Sequence, residues 1–366
     1  MNDKVKSTIE SVGKILLTML LAFAVGAIFI IFIGENPIEA YGALFKGAFN
    51  GRLKFGTTLA GFTPLLLTSL AFIISAKAGA FNVGVEGEVF LGGITAAYIG
   101  IYWTFLPKPI LLICCFLGAM LVAALWAYIP AALRVYYGVS EICTTILMNS
   151  VAVFICSYLV SGVMSAGVAN AQSLPVTVNL VQFMKPSSLN TGIFIAIGVS
   201  IILIFVLYKT SFGMKLRQVG TNPFNAEYVG IKPKKVFIQS MMLSGAIGGI
   251  AGAIEVLGVH GYFLNNFAVG LGSNGMLAAL IVKNNIFFAP FMAFFIAVLK
   301  SGALGMQQAT HVPKSLVDTI TAVFIIFACM ELLFKFKIGE KLGSGRAKQL
   351  VKKEENGNKP AKKENQ

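Results

Sequence analysis

The sequence predicts an all-α membrane protein with about ten transmembrane helices, some of them broken or re-entrant, and with both termini in the cytoplasm. Of its 366 residues, 57% are hydrophobic and only 12% are charged, and the mean hydropathy is +0.81. Soluble domains carry roughly 25% charged residues, so this chain has too little charge to cover an aqueous surface. Its length accommodates roughly ten apolar spans of about 20 residues with modest loops.

The positive charge supports the same fold class. The formal net charge is +14, and the Lys and Arg residues collect between apolar runs and near the chain ends. Cytoplasmic loops of membrane proteins show this pattern, so we expect contact with membrane lipid and no binding of nucleic acid. The membrane domain is expected to cover residues 15–334. An amphipathic segment at 1–14 is expected on the inner membrane surface, and a basic, disordered tail at 335–366 near anionic lipid.

The first two spans are expected at residues 15–33 and 58–76. The first runs outward from basic residues, and the second, which contains a proline, returns the chain to Lys77. Between them, residues 34–57 carry mixed charges and turn residues, and we expect a solvated external loop or a contact with an extracellular binding protein.

A broken helix is predicted directly after the second span. Residues 79–93 contain five glycines beside the polar residues Asn82, Glu86 and Glu88. Irregular backbone at membrane depth must be buried in protein or line an aqueous path. Two interpretations of the carboxylates stay open. They act as proton carriers or substrate ligands, or they lie near the cytosolic end, where they cap helices or pair with Lys77.

The middle of the chain is expected to continue with spans at 89–103 and 110–133 and a fifth span capped by Ser140. Asn149 falls on this fifth span at helical spacing from two threonines. It is either a hydrogen-bonding contact between helices or a contact to substrate. Residues 161–188 then form a long external loop, whose length favours a structural or docking role.

The polar segment 209–235 interrupts the apolar sequence and reads KTSFGMKLRQVGTNPFNAEYVGIKPKK. It holds six basic residues and one acidic residue, so we expect it in the cytosol. Asn222 followed by Pro223 is a helix start signal, and Gly230 is a stop signal. These signals predict one short helix of about two turns, which is too short to be stable alone in water. We therefore expect a partner protein to hold it.

A seventh span is expected from Val236, with glycines four residues apart that allow close helix packing. Near its far end, Glu255 and His260 precede further polar and aromatic residues. This mixture suits a nucleoside, which needs ring stacking and hydrogen bonds, and it equally suits an ordinary membrane-interface belt. Both interpretations stay open.

The remaining spans are expected at 267–282, 286–304 and 315–334, with an external turn at 305–314. The stretch Gly270–Gly275 matches the dinucleotide pattern G-x-G-x-x-G. Because no β-α-β unit surrounds it, we reject a nucleotide-binding interpretation.

Four stretches of the chain resemble the permeases of binding-protein-dependent ABC importers for simple sugars and nucleosides. They are residues 78–88, 138–149, 213–231 and 243–258, and the resemblance covers about residues 58–335. In the third stretch, the positions that fit the coupling-helix pattern of this family are Gly213, Leu216, Arg217, Gly220, Asn222, Ala226, Gly230 and Ile231. Gln218 and Asn225 depart from the pattern, and neither breaks the helix. Within the family, the nucleoside permeases of the guanosine and uridine type are the most similar.

The resemblance implies a function and a set of site residues. Residues 209–235 would form the coupling loop to ATP-binding subunits, through Gly213, Arg217, Gly220, Asn222, Pro223, Ala226, Glu227 and Gly230. The substrate pathway would use Asn82, Glu86, Asn149, Glu255, His260 and Asn274, with Gly270–Gly275 as a second broken helix. The implied partners are a second permease in a heterodimer and an extracellular substrate-binding lipoprotein. The implied location is the bacterial cytoplasmic membrane.

The chain lacks the motifs of an enzyme. It has no G-x-x-x-x-G-K-[ST] loop for ATP, no Gly-flanked nucleophile and no metal-binding spacing around its five cysteines. We expect no cofactor and no metal, buried apolar roles for the cysteines, and ATP hydrolysis in a partner subunit. Two alternatives stay open, a permease of the same family for simple sugars such as ribose and an ion-coupled secondary transporter.

Overall fold

The computed structural model describes residues 20–21, 23–168, 170–310, 312–313, 315–320 and 322–323. The segments expected at 1–14 and 335–366 lie outside these residues. The chain divides into two units, residues 1–28 with 319–366, and residues 29–318. The described residues of the first unit are helical.

Helices dominate the described residues, and only isolated β-bridges occur there. In chain order the helices are α1 (Phe23–Ile33), α2 (Pro37–Phe49), α3 (Gly51–Lys77), α4 (Val85–Tyr102), α5 (Lys108–Tyr137), α6 (Glu141–Ser161), α7 (Gly192–Lys209), α8 (Ser211–Thr221), α9 (Pro223–Tyr228), α10 (Pro233–Ile254), α11 (Leu271–Ile281) and α12 (Ala289–Ala309). A π-helical turn, Glu255–His260, continues α10. Residues 315–320 are helical again.

Six of these helices are long and apolar enough to cross a membrane. They are α3, α5, α6, α7, α12 and α10 with its π-helical turn. The helices α1 and α2 together pass the same test, with a bend of 115° between them. The protein is therefore a helical, multi-pass membrane protein, with six or seven candidate crossings in the described residues.

The expected external loop at 34–57 is wrong. This stretch forms α2 and the first turns of α3. Asn36 caps α2, because its side chain accepts a hydrogen bond from the backbone N–H of Ile38 at 3.0 Å. Small residues let α2 approach α12 so closely that a Cβ atom added to Gly47 would lie 2.8 Å from the Cα atom of Gly305. Gly305 lies in a stretch, residues 305–309, that was expected in a turn but belongs to α12.

The two helices α3 and α10 form the centre of the second unit. Both are largely buried, whereas only a minority of the residues of α5, α6 and α7 are buried. As the glycine spacing predicted, α10 packs closely on its neighbours. A Cβ atom added to Gly252 would lie 2.0 Å from the carbonyl oxygen of Val89, and one added to Gly249 would lie 2.4 Å from that of Ala119.

The start of α6 agrees in part with the sequence. Ser140 occupies the N-cap position, but its side chain makes no capping hydrogen bond. Glu141 pairs instead with Arg134 at 3.2 Å, which ties α6 to the end of α5. Of the cysteines, Cys115 and Cys156 are buried as expected, but Cys143 is exposed because it lies on the open side of α6.

The long loop between α6 and α7 is ordered without regular secondary structure. Its backbone N–H groups donate to carbonyl oxygens at the end of α10 and just beyond it, from Val176 to Gly261 at 2.9 Å and from Leu180 to Leu257 at 2.8 Å. The N–H of Thr177 donates to Gly100 near the end of α4 at 3.1 Å. The loop thus covers the ends of both helices.

Candidate functional site

Two breaks in the helical structure meet in the interior. The first is residues 78–84, between α3 and α4, and the second is residues 261–270, between the π-helical turn and α11. A Cβ atom added to Gly272 would lie 2.5 Å from the backbone nitrogen of Glu86. The N-terminal ends of α4 and α11 are therefore in direct contact.

The first break is shorter than expected, and the second lies before the expected stretch Gly270–Gly275, most of which belongs to α11. Gly92 and Gly93 lie inside α4 rather than in irregular backbone. Their lack of a side chain serves packing, because a Cβ atom added to Gly92 would lie 2.4 Å from the Cα atom of Gly249.

Asn82 organises the first break. Its side chain is fully buried, and its Oδ1 accepts a hydrogen bond from the N–H of Gly84 at 2.9 Å. Its Nδ2 donates to Glu88 Oε1 at 2.8 Å and to Ser244 Oγ at 2.9 Å. One amide therefore binds the break to α4 and to α10.

Asn149 holds the same break from α6. Its Oδ1 accepts from the N–H of Gly87 at 2.8 Å, and its Nδ2 donates to the carbonyl oxygen of Val83 at 2.9 Å. An interrupted helix leaves backbone N–H and C=O groups without helical hydrogen bonds. The side-chain amide of Asn149 forms hydrogen bonds with two such groups instead. Of the two interpretations of Asn149, the structure supports the contact between helices.

Glu88 lies in the interior, between α4 and α10. The sequence left open whether its carboxylate lies near the cytosolic end, capping a helix or paired with Lys77, or acts as a proton carrier or substrate ligand. The carboxylate is 1% exposed, and its Oε2 has no hydrogen-bond partner among the described residues. A Cβ atom added to Gly248 would lie 3.1 Å from that oxygen. Glu86, in contrast, is half-buried and lies beside Gly272 of α11.

Glu88 and Ser244 are the members of this cluster that the predicted site residues did not include. Helical spacing could not connect Asn82 with Glu88, because the break lies between them. Ser244 is 162 residues from Asn82, and no local signal relates the two.

Glu255 and His260 occupy the π-helical turn, a second polar site. Glu255 Oε2 lies 3.7 Å from His260 Nε2, and Glu255 is 8% exposed. His260 lines a cavity of about 430 Å³ together with Asn179, Gln182 and Lys185 from the long loop. Single π-helical turns are frequent at functional sites.

The aromatic residues next to this second site pack against the protein. Phe263 is fully buried, and the ring of Phe267 lies 5.3 Å from Phe90 and 6.1 Å from His260. Asn274 likewise bonds within its own helix, since its Nδ2 donates to the carbonyl oxygen of Gly270. Ring stacking on Phe263 is therefore not open to a ligand in this arrangement.

The polar segment 209–235 forms an arm of two helices, α8 and α9, where the sequence predicted one. Thr210 caps α8 by accepting from the N–H of Gly213 at 3.2 Å. A Cβ atom added to Gly213 would lie 2.2 Å from the carbonyl oxygen of Val206, so α8 folds back tightly on α7. The Arg217 guanidinium lies 5.1 Å from the ring centre of Tyr208, which strengthens the same attachment.

The helix α9 begins and ends as the sequence predicted. The Asn222 side chain accepts from the N–H groups of Phe224 at 3.0 Å and Asn225 at 3.1 Å, and Pro223 occupies the first helical position. The left-handed residue Gly230, with φ of +82°, follows its end. Ala226 is the buried residue of α9, and Glu227 is exposed.

The arm carries an apolar surface exposed to solvent. Its members are Phe224, Tyr228 and Val229, with exposed fractions of 74%, 91% and 69%. Three large apolar side chains on a polar segment of this size mark an interaction surface. The arm also touches the first break, because a Cβ atom added to Gly220 would lie 2.1 Å from the carbonyl oxygen of Lys77.

Long apolar helices, two broken helices that meet in the interior and a polar arm with an apolar surface define a membrane permease. Residues 55–329 match the family described as "Branched-chain amino acid transport system / permease component". The match covers most of the chain, and the chain belongs to this family.

Three relatives resemble the chain over most of its length. The guanosine ABC transporter permease protein NupP of Bacillus subtilis is 31% identical over 89% of this chain and 95% of its own length. The nucleoside ABC transporter permease protein NupB of Lactococcus lactis is 28% identical over 96% and 99%. A glucose ABC transporter permease protein of Haloferax volcanii is 31% identical over 89% and 90%.

Bacillus subtilis and Lactococcus lactis each have a second permease protein that is similar to this chain, at lower identity and coverage. The nucleoside permease protein NupC of Lactococcus lactis is 27% identical over 75% of this chain. The guanosine permease protein NupQ of Bacillus subtilis is 26% identical over 62% of it. Two different permease chains of one organism therefore resemble this single sequence.

Proposed function

We propose that the chain is the membrane-spanning subunit of an ABC importer that takes up nucleosides. The observation that carries the proposal is the similarity to guanosine and nucleoside permease proteins over nearly the whole chain, including the arm and both breaks. ATP hydrolysis belongs to a separate subunit in this scheme, and the chain itself is not an enzyme.

The arm is the part that couples this subunit to ATP-binding subunits. It faces the cytosol, and its exposed Phe224, Tyr228 and Val229 fit the apolar cleft of a partner. Six residues of helix do not hold their shape alone, so α9 depends on its caps, on α8 and on that partner. The coupling residues are Gly213, Arg217, Gly220, Asn222, Pro223, Ala226, Glu227 and Gly230.

The substrate pathway passes the two breaks. Asn82 and Asn149 shape it by holding the backbone of the first break. The half-buried Glu86 and Asn274 lie at the N-terminal ends of α4 and α11, and Glu255 and His260 form the second polar site. Nucleosides present hydroxyl and amide-like groups, for which these side chains are suitable hydrogen-bonding partners.

A second permease subunit, different from this one, completes the transporter in a bacterial cytoplasmic membrane. The two pairs of nucleoside and guanosine permease relatives support a heterodimer. The helices α5, α6 and α7, which have the lowest share of buried residues among the six candidate spans, provide surface for that subunit and for lipid. An extracellular substrate-binding lipoprotein delivers the nucleoside to the long loop and the second polar site.

Uptake by whole cells with and without this chain tests the function. The substrates are guanosine, uridine, ribose and glucose, and ATP and the proton gradient are collapsed separately. We expect chain-dependent uptake of a nucleoside that is lost when ATP alone is depleted. Uptake of ribose or glucose instead would favour a sugar permease, which the Haloferax volcanii relative also supports. Loss on collapse of the gradient alone would indicate a secondary transporter.

A further inference from the structure

The arm meets the end of α3 and the start of the first break through backbone atoms alone. A Cβ atom added to Gly220 would lie 2.1 Å from the carbonyl oxygen of Lys77 and 3.2 Å from the nitrogen of Gly79. Gly220 therefore has no room for a side chain, and Gly79, with a φ of +78°, tolerates none without strain. Because backbones in contact leave no slack, a movement of α8 displaces the Lys77–Gly79 turn directly.

This turn is the first part of the break and is fixed by hydrogen bonds. The N–H of Gly79 donates to Ala76 at 3.1 Å, and that of Ala80 donates to Ser75 at 3.0 Å, which fixes the turn to the end of α3. Three residues after Gly79, Asn82 binds α4 and α10, as described above. The turn and the rest of the break therefore move as one body.

The break in turn contacts the second broken helix and α6. Glu86, two residues into α4, lies against Gly272 at the start of α11. Asn149 of α6 holds the backbone on both sides of the same helix start, at Val83 and Gly87. A displacement of the break thus reaches both helix N-termini in the interior.

A second connection joins the arm to the other end of α11. Arg217 of α8 lies over Tyr208, and the Tyr208 ring lies 5.2 Å from the ring of Phe287 in the connection between α11 and α12. The arm is consequently linked both to the first break and, through Tyr208, to the connection that follows α11.

We propose that the Gly220 contact and the Asn149 amide form the joint that transmits movement of the arm to the broken helices. Asn149 is a positioning residue in this role, because both ends of its amide are bonded to backbone. The inference rests on the proposed coupling of the arm to ATP-binding subunits. It assigns the path inside this subunit by which that coupling changes access to the pathway.

The test uses the complete transporter reconstituted in lipid vesicles with its binding protein. The variants are Asn149→Ala and Asn149→Asp, with Ser150→Ala, an exposed neighbour on α6, as the control. For each we measure nucleoside imported, ATP hydrolysed and the KM for uptake. Gly220→Ala tests the same joint from the side of the arm.

We expect Asn149→Ala to lower the number of nucleosides imported per ATP about tenfold, a change within the range known for coupling networks. Asn149→Asp keeps the acceptor for Gly87 but sets a second oxygen against the carbonyl oxygen of Val83, so it should also lower import per ATP. The KM should stay within about twofold, because the amide does not contact substrate in this role.

The outcomes separate the joint from the proposed function. If the unaltered transporter neither couples uptake to ATP nor responds to the binding protein, both are wrong. If the unaltered transporter couples uptake to ATP hydrolysis, and the Asn149 and Gly220 variants import as many nucleosides per ATP as it does, the joint alone is wrong. A rise in KM with unchanged import per ATP would make Asn149 a substrate contact and would also overturn the joint.

Discussion

At the scale of single residues, Glu88 shows what a buried polar group contributes. One of its oxygens accepts a hydrogen bond from Asn82, whose other amide hydrogen is bound by Ser244. Removal of the acceptor leaves a buried N–H group unpaired, which costs about 1–3 kcal/mol. Replacement by an amide keeps an acceptor in the same place.

We therefore expect Glu88→Ala to destabilise the protein by about 1–3 kcal/mol and Glu88→Gln to cost clearly less. Thermal unfolding of the purified protein in detergent measures the difference. Ser244→Ala, which leaves the second hydrogen of the same amide unpaired, is the matched control and should resemble Glu88→Ala. Equal losses for the Gln and Ala variants at position 88 would show that the hydrogen bond to Asn82 is not what matters.

The structural roles of residues that interact only with their neighbours in the sequence were predictable. Asn222, Pro223 and Gly230 mark the ends of α9 because capping and left-handed backbone depend on the adjacent few residues. The bond between Asn82 and Ser244 was not, since it depends on how α10 packs beside the break. The pathway role of Asn82, Glu86, Asn149, Glu255, His260 and Asn274 stays a proposal.

At the scale of helices, α9 combines an internal cap with an outward apolar surface. Phe224 and Tyr228 are exposed at 74% and 91%, so their loss removes little from the fold. Exposed aromatic residues often dominate the energy of an interface.

We expect Phe224→Ala with Tyr228→Ala to leave the thermal stability unchanged and to weaken binding of the ATP-binding subunit by about 2 kcal/mol or more. That energy corresponds to a loss of roughly 30-fold in affinity. Titration of the detergent-solubilised permease with the purified subunit measures it. Phe105→Ala, which removes a residue 76% exposed between α4 and α5, is the control and should bind normally. Normal binding by the α9 variant would place the partner elsewhere.

The helix pair α2 and α12 gives a second prediction at this scale. A Cβ atom added to Gly47 would meet the backbone of α12, whereas one added to Gly42 in the same helix has open space within 4 Å. Overpacking a tight helix contact typically costs about 1–3 kcal/mol. A free glycine in a helix is instead less favourable than alanine by roughly 0.5–1 kcal/mol.

Gly47→Ala should accordingly lower the melting temperature, and Gly42→Ala should leave it equal or higher. Both are measured by the same unfolding assay in detergent. A stable Gly47→Ala variant would mean that α2 and α12 separate easily. The helix α2 was not predicted from the sequence, because charged and turn residues at 34–57 are typical of a loop. Its contact with α12 is made by one narrow face of small residues, which gives no strong hydropathy signal.

At the scale of the molecule, the sequence predicted the class of fold and the spans that correspond to α3, α5, α6, α7, α10 and α12, because membrane-spanning helices depend on local hydropathy. The spans expected at 89–103 and 267–282 correspond to α4 and α11, which are not among the six helices long and apolar enough to cross a membrane. The first break was also predictable, since glycine and polar residues interrupt an apolar run there. The second broken helix was expected at Gly270–Gly275, but residues 271–275 belong to α11 and the break precedes them. Local hydropathy does not predict contacts between residues that are far apart in the sequence. The meeting of Glu86 with Gly272 and of Gly220 with Lys77 follows from three-dimensional packing.

Topology is the property of the whole molecule on which the proposed coupling depends. The positive-inside rule predicts the basic arm on the cytosolic side. With an odd number of crossings between the arm and the loop before α7, that loop is then expected on the outside. The helix α7 provides one such crossing. Glu227 on the arm and Lys185 in the loop are both exposed, so a cysteine at either position would be open to reagents.

We expect a membrane-impermeant maleimide to label Lys185→Cys in intact cells and Glu227→Cys only after the cells are permeabilised. The variants are made in a background from which the five native cysteines have been removed, because Cys143 is exposed. Labelling of both positions after permeabilisation is the internal control for reactivity. Labelling of Glu227→Cys from outside would put the arm out of reach of any cytosolic ATP-binding subunit, and the coupling role of α9 would then be untenable whatever the affinity measurements gave.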